Sequence, residues 1–230
     1  MSFLVLQVAI SVFFMVVSLG SVNCEVDVLD PTYGFTELPL NTSQHRIHTP
    51  YDLPESQRYS LVDGVHKLWV YSTDKPHYNG STTEPRSEIK IADYTYNSGI
   101  WQFEGHGYVP KGTNGVSIMQ VFGGSNGRAT SLMLHVYNGS LRYYGSAVIV
   151  PEIFDRWFRL NVIHDVEAAT LEVYVDGVLQ LRAPGRGGTS HYFKFGVYAQ
   201  RNASYYMESR WKGIRVLYKE NQTSGTEQGY

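Results

Sequence analysis

Apolar and polar residues alternate in short runs along most of the chain. Val65-His66-Lys67-Leu68-Trp69-Val70-Tyr71 follows Asp63-Gly64, a tight-turn pair. Val173-Tyr174-Val175, then Asp176-Gly177, then Val178-Leu179-Gln180-Leu181 reads as a hairpin. Leu132, Leu134 and Val136 alternate with Met133, His135 and Tyr137, and Asn138-Gly139 turns the chain into Leu141-Arg142-Tyr143-Tyr144. Trp157 to His164 and Glu208 to Leu217 are further strands. Apolar residues nowhere hold an i, i+3, i+4, i+7 rhythm across three helical turns. Short strands punctuated by Gly, Asn and Asp predict an all-β antiparallel sandwich or jelly roll. One such domain spans 55–218, after an irregular lead-in at 25–54 and before a polar tail at 219–230.

The N-terminus has a different texture. Met1 to Cys24 hold no Asp, Glu, Lys or Arg, and an apolar run from Phe3 to Val17 gives way to Ser18, Gly20 and Ser21. This pattern predicts a secretory signal peptide over 1–24, so that no integral span remains after its removal. Entry into the secretory pathway gives meaning to five Asn-x-Ser/Thr sequons, at Asn41, Asn79, Asn138, Asn202 and Asn221. Cys24 is the single cysteine and lies at the expected cleavage point, which leaves the domain without a disulfide. A core of this size is stable on burial alone. The expected location is extracellular, in a cell wall, or in a vacuole.

Charge narrows the partners. The 230 residues carry 19 Lys+Arg against 21 Asp+Glu, a formal net charge of −2. No bulk attraction for nucleic acid or an anionic membrane follows from that balance. Recognition through charge must be local, and three segments supply it. In His191 to Gln200, period-two alternation puts Phe193, Phe195, Val197 and Ala199 on one face, with Tyr192, Lys194, Tyr198 and Gln200 on the other. In Pro85 to Ile91, Arg86, Glu88 and Lys90 share a face opposite Ile89 and Ile91. In Ser117 to Gly123, Gln120 and Phe122 share a side. Each pattern alone equally fits a strand with one solvated face. Together they predict a sheet face lined by Arg, Lys, Gln and Tyr, an inventory suited to a carboxylate.

Taken in order, Arg86-Ser87-Glu88-Ile89-Lys90, Gln120-Val121-Phe122 and Tyr192-Phe193-Lys194-Phe195-Gly196-Val197-Tyr198-Ala199-Gln200 resemble the three motifs of the alginate-lyase jelly-roll family. Within that family the chain is most similar to the plant citrate-binding proteins. That likeness extends through Pro50 to Pro54, Asp63 to Val70, Trp101 to Gly105 and Ala183 to Ser190. The resemblance implies a jelly roll with a concave ligand groove. It also implies roles. In a lyase of this family, an Arg and a Gln neutralise the uronate carboxylate while the α-proton leaves, and a Tyr acts as acid and sometimes base. These positions are Arg86, Gln120 and Tyr198. The family histidine of the second motif is Phe122 here, and the last arginine of the first motif is Lys90. Phenylalanine cannot accept a proton, and general acid–base help is worth about 10²–10⁴-fold.

Three functions fit. The first is a carboxylate-binding protein, with citrate or another small carboxylate as ligand and Arg86, Glu88, Lys90, Gln120, Tyr192, Lys194, Tyr198 and Gln200 around it. The second is a lyase acting on uronate-containing wall polysaccharides, with Tyr198 as both acid and base. The third is a non-catalytic wall protein that stacks sugars on its aromatic faces. No cofactor is expected, and the scattered histidines indicate no metal. The one Glu-x-Asp pair of the jelly-roll glycosidase kind lies in the lead-in, at Glu25 and Asp27. The Gly185-Arg186-Gly187-Gly188 loop either cradles an anion through its N–H groups or simply connects into the next strand, where it could gate the groove.

Overall fold

A computed structural model describes residues 30–220. The signal-like segment 1–24, Cys24, the sequon at Asn221 and nearly all of the tail lie outside the described residues. Alternation delivers strands throughout. In chain order they begin with β1 (Thr36–Leu38), β2 (His45–His48), β3 (Tyr59–Val62), β4 (Val65–Tyr71) and β5 (Arg86–Ile91). Next come β6 (Ile100–Tyr108), β7 (Val116–Phe122), β8 (Thr130–Tyr137), β9 (Ser140–Tyr143) and β10 (Ala147–Val150). The series closes with β11 (Trp157–Asp165), β12 (Thr170–Val175), β13 (Val178–Pro184), β14 (Tyr192–Ala199) and β15 (Tyr206–Lys219). Among the described residues, helical turns occur only at Thr42–Gln44 and Glu55–Gln57, and no helix is long and apolar enough to cross a membrane.

The strands form two antiparallel sheets, a jelly-roll sandwich. One runs β13-β12-β11-β6-β15-β4-β3, with β1 added on β15; the other runs β10-β9-β8-β7-β14-β5-β2. The inner faces meet in a core that includes Leu68, Phe103, Phe195 and Trp211, all fully buried. Phe103, Phe195 and Trp211 pack as a ring triad with centroids 5.6–5.9 Å apart. Aromatic rings in such tilted contacts add to what their buried area contributes.

The stretch 30–54, where no periodicity is legible, holds two strands. β1 joins the first sheet and β2 the second, where it pairs with β5. A second difference concerns exposure. A two-layer sandwich with solvated outer faces would show alternating burial, as β4 and β12 do. β7 and β8 are instead buried on both faces along almost their whole length. The polar side of the second sheet is therefore a desolvated floor, and its charges need partners within the protein.

Candidate functional site

A cleft of about 430 Å³ opens on the outer face of the β2-containing sheet. Strand pairing explains how residues far apart in sequence reach it. β14 lies between β7 and β5, so Lys194 pairs with Gln120 on one side and Lys90 on the other. Tyr198 pairs with Arg86, and Tyr192 with Phe122. Between them Gly196 sits at φ +137° beside a register shift, with its carbonyl accepting from Ser209 Oγ at 2.8 Å. This bulge sets the spacing from Lys194 to Tyr198.

Glu88 organises the floor. Its carboxylate accepts from Lys194 Nζ at 2.7 Å, from Gln120 Nε2, and from an Arg86 guanidinium nitrogen at 3.4 Å. Glu88, Gln120 and Lys194 are each at most 3% exposed. Burial pulls the Lys194 ammonium below its ordinary value and Glu88 opposes that pull. Arg86 is less consumed by the protein: its one carboxylate contact is long, and its Nε is buried without a partner. The guanidinium lies 3.8 Å over the Tyr198 ring. Burial raises the Tyr198 phenol above its ordinary value, and Arg86 acts against that. The Tyr192 phenol is pushed up to about 12, by burial and then by Glu88. Both phenols are therefore protonated donors near neutrality.

Not every residue expected at the site touches the cleft. Arg86, Gln120, Tyr192, Lys194, Tyr198 and Gln200 line it. Glu88 lies beneath as counter-ion, and Lys90 holds its ammonium 3.9 Å over the Tyr192 ring without lining the cleft. Phe122 also lines it, stacked on Tyr192 at 4.7 Å and 13°. With Arg86, Lys90 and Lys194 against Glu88 alone, these strands carry an excess of positive charge on this face. The Gly185–Gly188 loop contributes no lining residue. Its Arg186 carbonyl accepts from Ser125 N at 2.9 Å and Ser125 Oγ at 2.8 Å, and its guanidinium stacks 4.1 Å over Tyr144.

Sequence reasoning missed His48, His77, Tyr78, Thr83 and Met133, which complete the lining together with Ala129 and Thr130. His48 comes from β2, whose four residues are too few to display a period, and His77 from the loop after β4. Met133 alternates with core residues on β8 and could have been found from its face. Among the described residues, no group of three or more His, Cys, Asp or Glu is placed to hold a metal ion.

A family model described as alginate lyase matches residues 38–217. The citrate-binding protein of Hevea brasiliensis is 48% identical over 197 residues, covering 85% of this chain and 82% of that protein. Among solved structures, an alginate lyase from Corynebacterium sp. is 15% identical, with 78% of this chain and 97% of that one covered and a TM-score of 0.62. The marine alginate lyase of Zobellia galactanivorans is 18% identical over 73% of this chain and 83% of its own, with a TM-score of 0.57. At these identities the likeness to the solved enzymes is one of fold.

Proposed function

Because the chain belongs to the alginate lyase family, we propose that it binds citrate or a similar small polycarboxylate in the cleft and does not cleave a polymer. The observation that carries this reading is Phe122. Elimination from a uronate needs a group that removes the proton α to the carboxylate and a donor for the leaving oxygen. The motif position that supplies an imidazole elsewhere in the family holds a phenyl ring stacked on Tyr192. What remains is a set of donors. Arg86 offers a planar cation whose capacity the protein leaves partly unused, Tyr198 offers its O–H, and buried Lys194 adds fixed positive charge. Citrate binding by the Hevea relative supports the choice of ligand.

A second reading has one specific observation in its favour. Arg86 lies over the Tyr198 ring and opposes the upward pull of burial on its phenol, as a Tyr serving as both base and acid would require. The two are separated by incubating the protein with glucuronate- and mannuronate-containing polymers and following far-ultraviolet absorbance of the unsaturated product. The binding reading expects no product and a saturable heat with citrate. Product that disappears in Tyr198→Phe overturns it in favour of a lyase. Binding of uronate oligomers in place of citrate, without product, overturns it in favour of a sugar-binding wall protein.

The same reading assigns the protein to the secretory pathway, as a glycoprotein of the cell wall, extracellular space or vacuole. It is supported by the N-terminal pattern and by exposure of the sequon residues Asn41, Asn79, Asn138 and Asn202. A loss of mass on endoglycosidase treatment of the secreted protein tests it.

A further inference from the structure

His48 and His77 are not needed for carboxylate capture by Arg86, yet both line the same cleft. Their rings come from different elements and lie nearly parallel, 19° apart with centroids at 4.1 Å. Two imidazolium rings at that distance would repel. Other groups facing His48 also oppose a second charge. Arg86 and Lys90 on β5 and Lys194 on β14 all act on it, and with burial as the larger cause they pull its imidazole down to about 3. Arg46 shares its face of β2, since Arg46 pairs with Lys90 and His48 with Glu88. Glu88 is the carboxylate opposite, and it is already engaged by Lys194, Gln120 and Arg86.

His77 fixes what the pair offers a ligand. Its Nδ1 lies 3.1 Å from the carbonyl oxygen of Thr49, which can only accept, so Nδ1 carries the hydrogen and donates. In the neutral ring Nε2 is then a lone pair, a poor neighbour for a carboxylate. With a proton it becomes a second donor.

We propose that the His48–His77 pair is the proton-loading arm of the anion site. When a polycarboxylate enters the cleft, its negative charge offsets the surrounding cations, and one proton passes from solvent to an imidazole lone pair. The new imidazolium N–H donates to a ligand carboxylate. No bond of the ligand breaks. This inference rests on the carboxylate-binding reading and adds the residues that tune it. Linkage fixes the sign: a ligand whose binding takes up protons binds more tightly as pH falls, by up to about tenfold per pH unit for one full proton.

Citrate is titrated calorimetrically into the full chain at pH 6.5, in two buffers of different ionisation enthalpy. Wild type is compared with His48→Gln and His77→Gln. The expected result is net proton uptake by wild type, about half a proton or more, that falls in both variants. Affinity should rise roughly threefold per unit as pH drops, less so in the variants. A purely structural role would weaken binding and leave the proton count per bound citrate unchanged, and that result overturns the inference while leaving the carboxylate reading intact. Absence of any citrate heat in wild type overturns both. If a variant does not fold, imidazole nitrogen shifts in ¹⁵N-histidine-labelled wild type decide. Movement of His48 or His77 toward the imidazolium position on citrate addition supports the proposal, and no movement of either overturns it.

Discussion

The Glu88 carboxylate is 1% exposed and takes hydrogen bonds from Lys194, Gln120 and Arg86. A buried pair of this kind contributes little net stability against an apolar replacement, but removing one partner strands the other charge at a cost of about 3–5 kcal/mol. Glu88→Gln keeps the shape and removes the charge. Its expected effect is a melting temperature lower by roughly 10 °C, read by circular dichroism; an unchanged melting temperature would show that Lys194 does not depend on this partner. From sequence, Glu88 looked like a ligand-facing group because alternation puts it beside Arg86 and Lys90. Alternation tells which side of a strand a residue takes and nothing about what reaches it from a strand 106 residues away. The same limit applies to Lys194, read among the donors of the ligand face: it lines the cleft at 3% exposure, with its ammonium donating to Glu88.

At the scale of elements, the longer strands were legible because a period of two needs only five or six residues to show. β4, β8, β11, β15 and the β12–β13 hairpin lie where the hydrophobic pattern puts them. β1 and β2, with three and four residues, fall below that length and are strands because neighbours pair with them. Missing β2 meant missing His48. Gly196 is the element-level feature on which the site depends. Its φ of +137° disfavours any L side chain, and a Cβ there would collide with the Ser87 carbonyl oxygen on β5. Gly196→Ala should cost about 1–3 kcal/mol in backbone strain alone and push β14 from β5, separating Tyr198 from Arg86. The expected readings are a lower melting temperature and loss of citrate heat together. Full citrate affinity in Gly196→Ala would contradict the role given to the bulge.

For the molecule as a whole, burial sets the response to acid. It pulls His66 and His135 down to about 4, and burial with the neighbouring His191 pulls His164 to about 3. In the unfolded chain each imidazole titrates near 6.5. The unfolded state therefore binds protons first as pH falls, and stability that is full above about 6.5 is lost progressively toward pH 3–4, at about 1.4 kcal/mol per pH unit for each proton. The melting temperature should be several degrees lower at pH 5 than at pH 7.5; equal values would contradict it. The near-neutral chain of −2 conceals local segregation, with Arg86, Lys90 and Lys194 on one sheet face tempered by Glu88. That segregation was legible in the sequence, whereas the pairing that engages Glu88 and leaves Arg86 freer arises only where β5, β7 and β14 meet. Calorimetry of citrate with wild type and Arg86→Ala, both checked for fold by circular dichroism, tests the central claim. A charge-assisted bond contributes about 1.5–3 kcal/mol, so the wild type should give saturable binding that weakens at least tenfold in Arg86→Ala. Equal affinity in the two proteins would contradict carboxylate capture in this cleft.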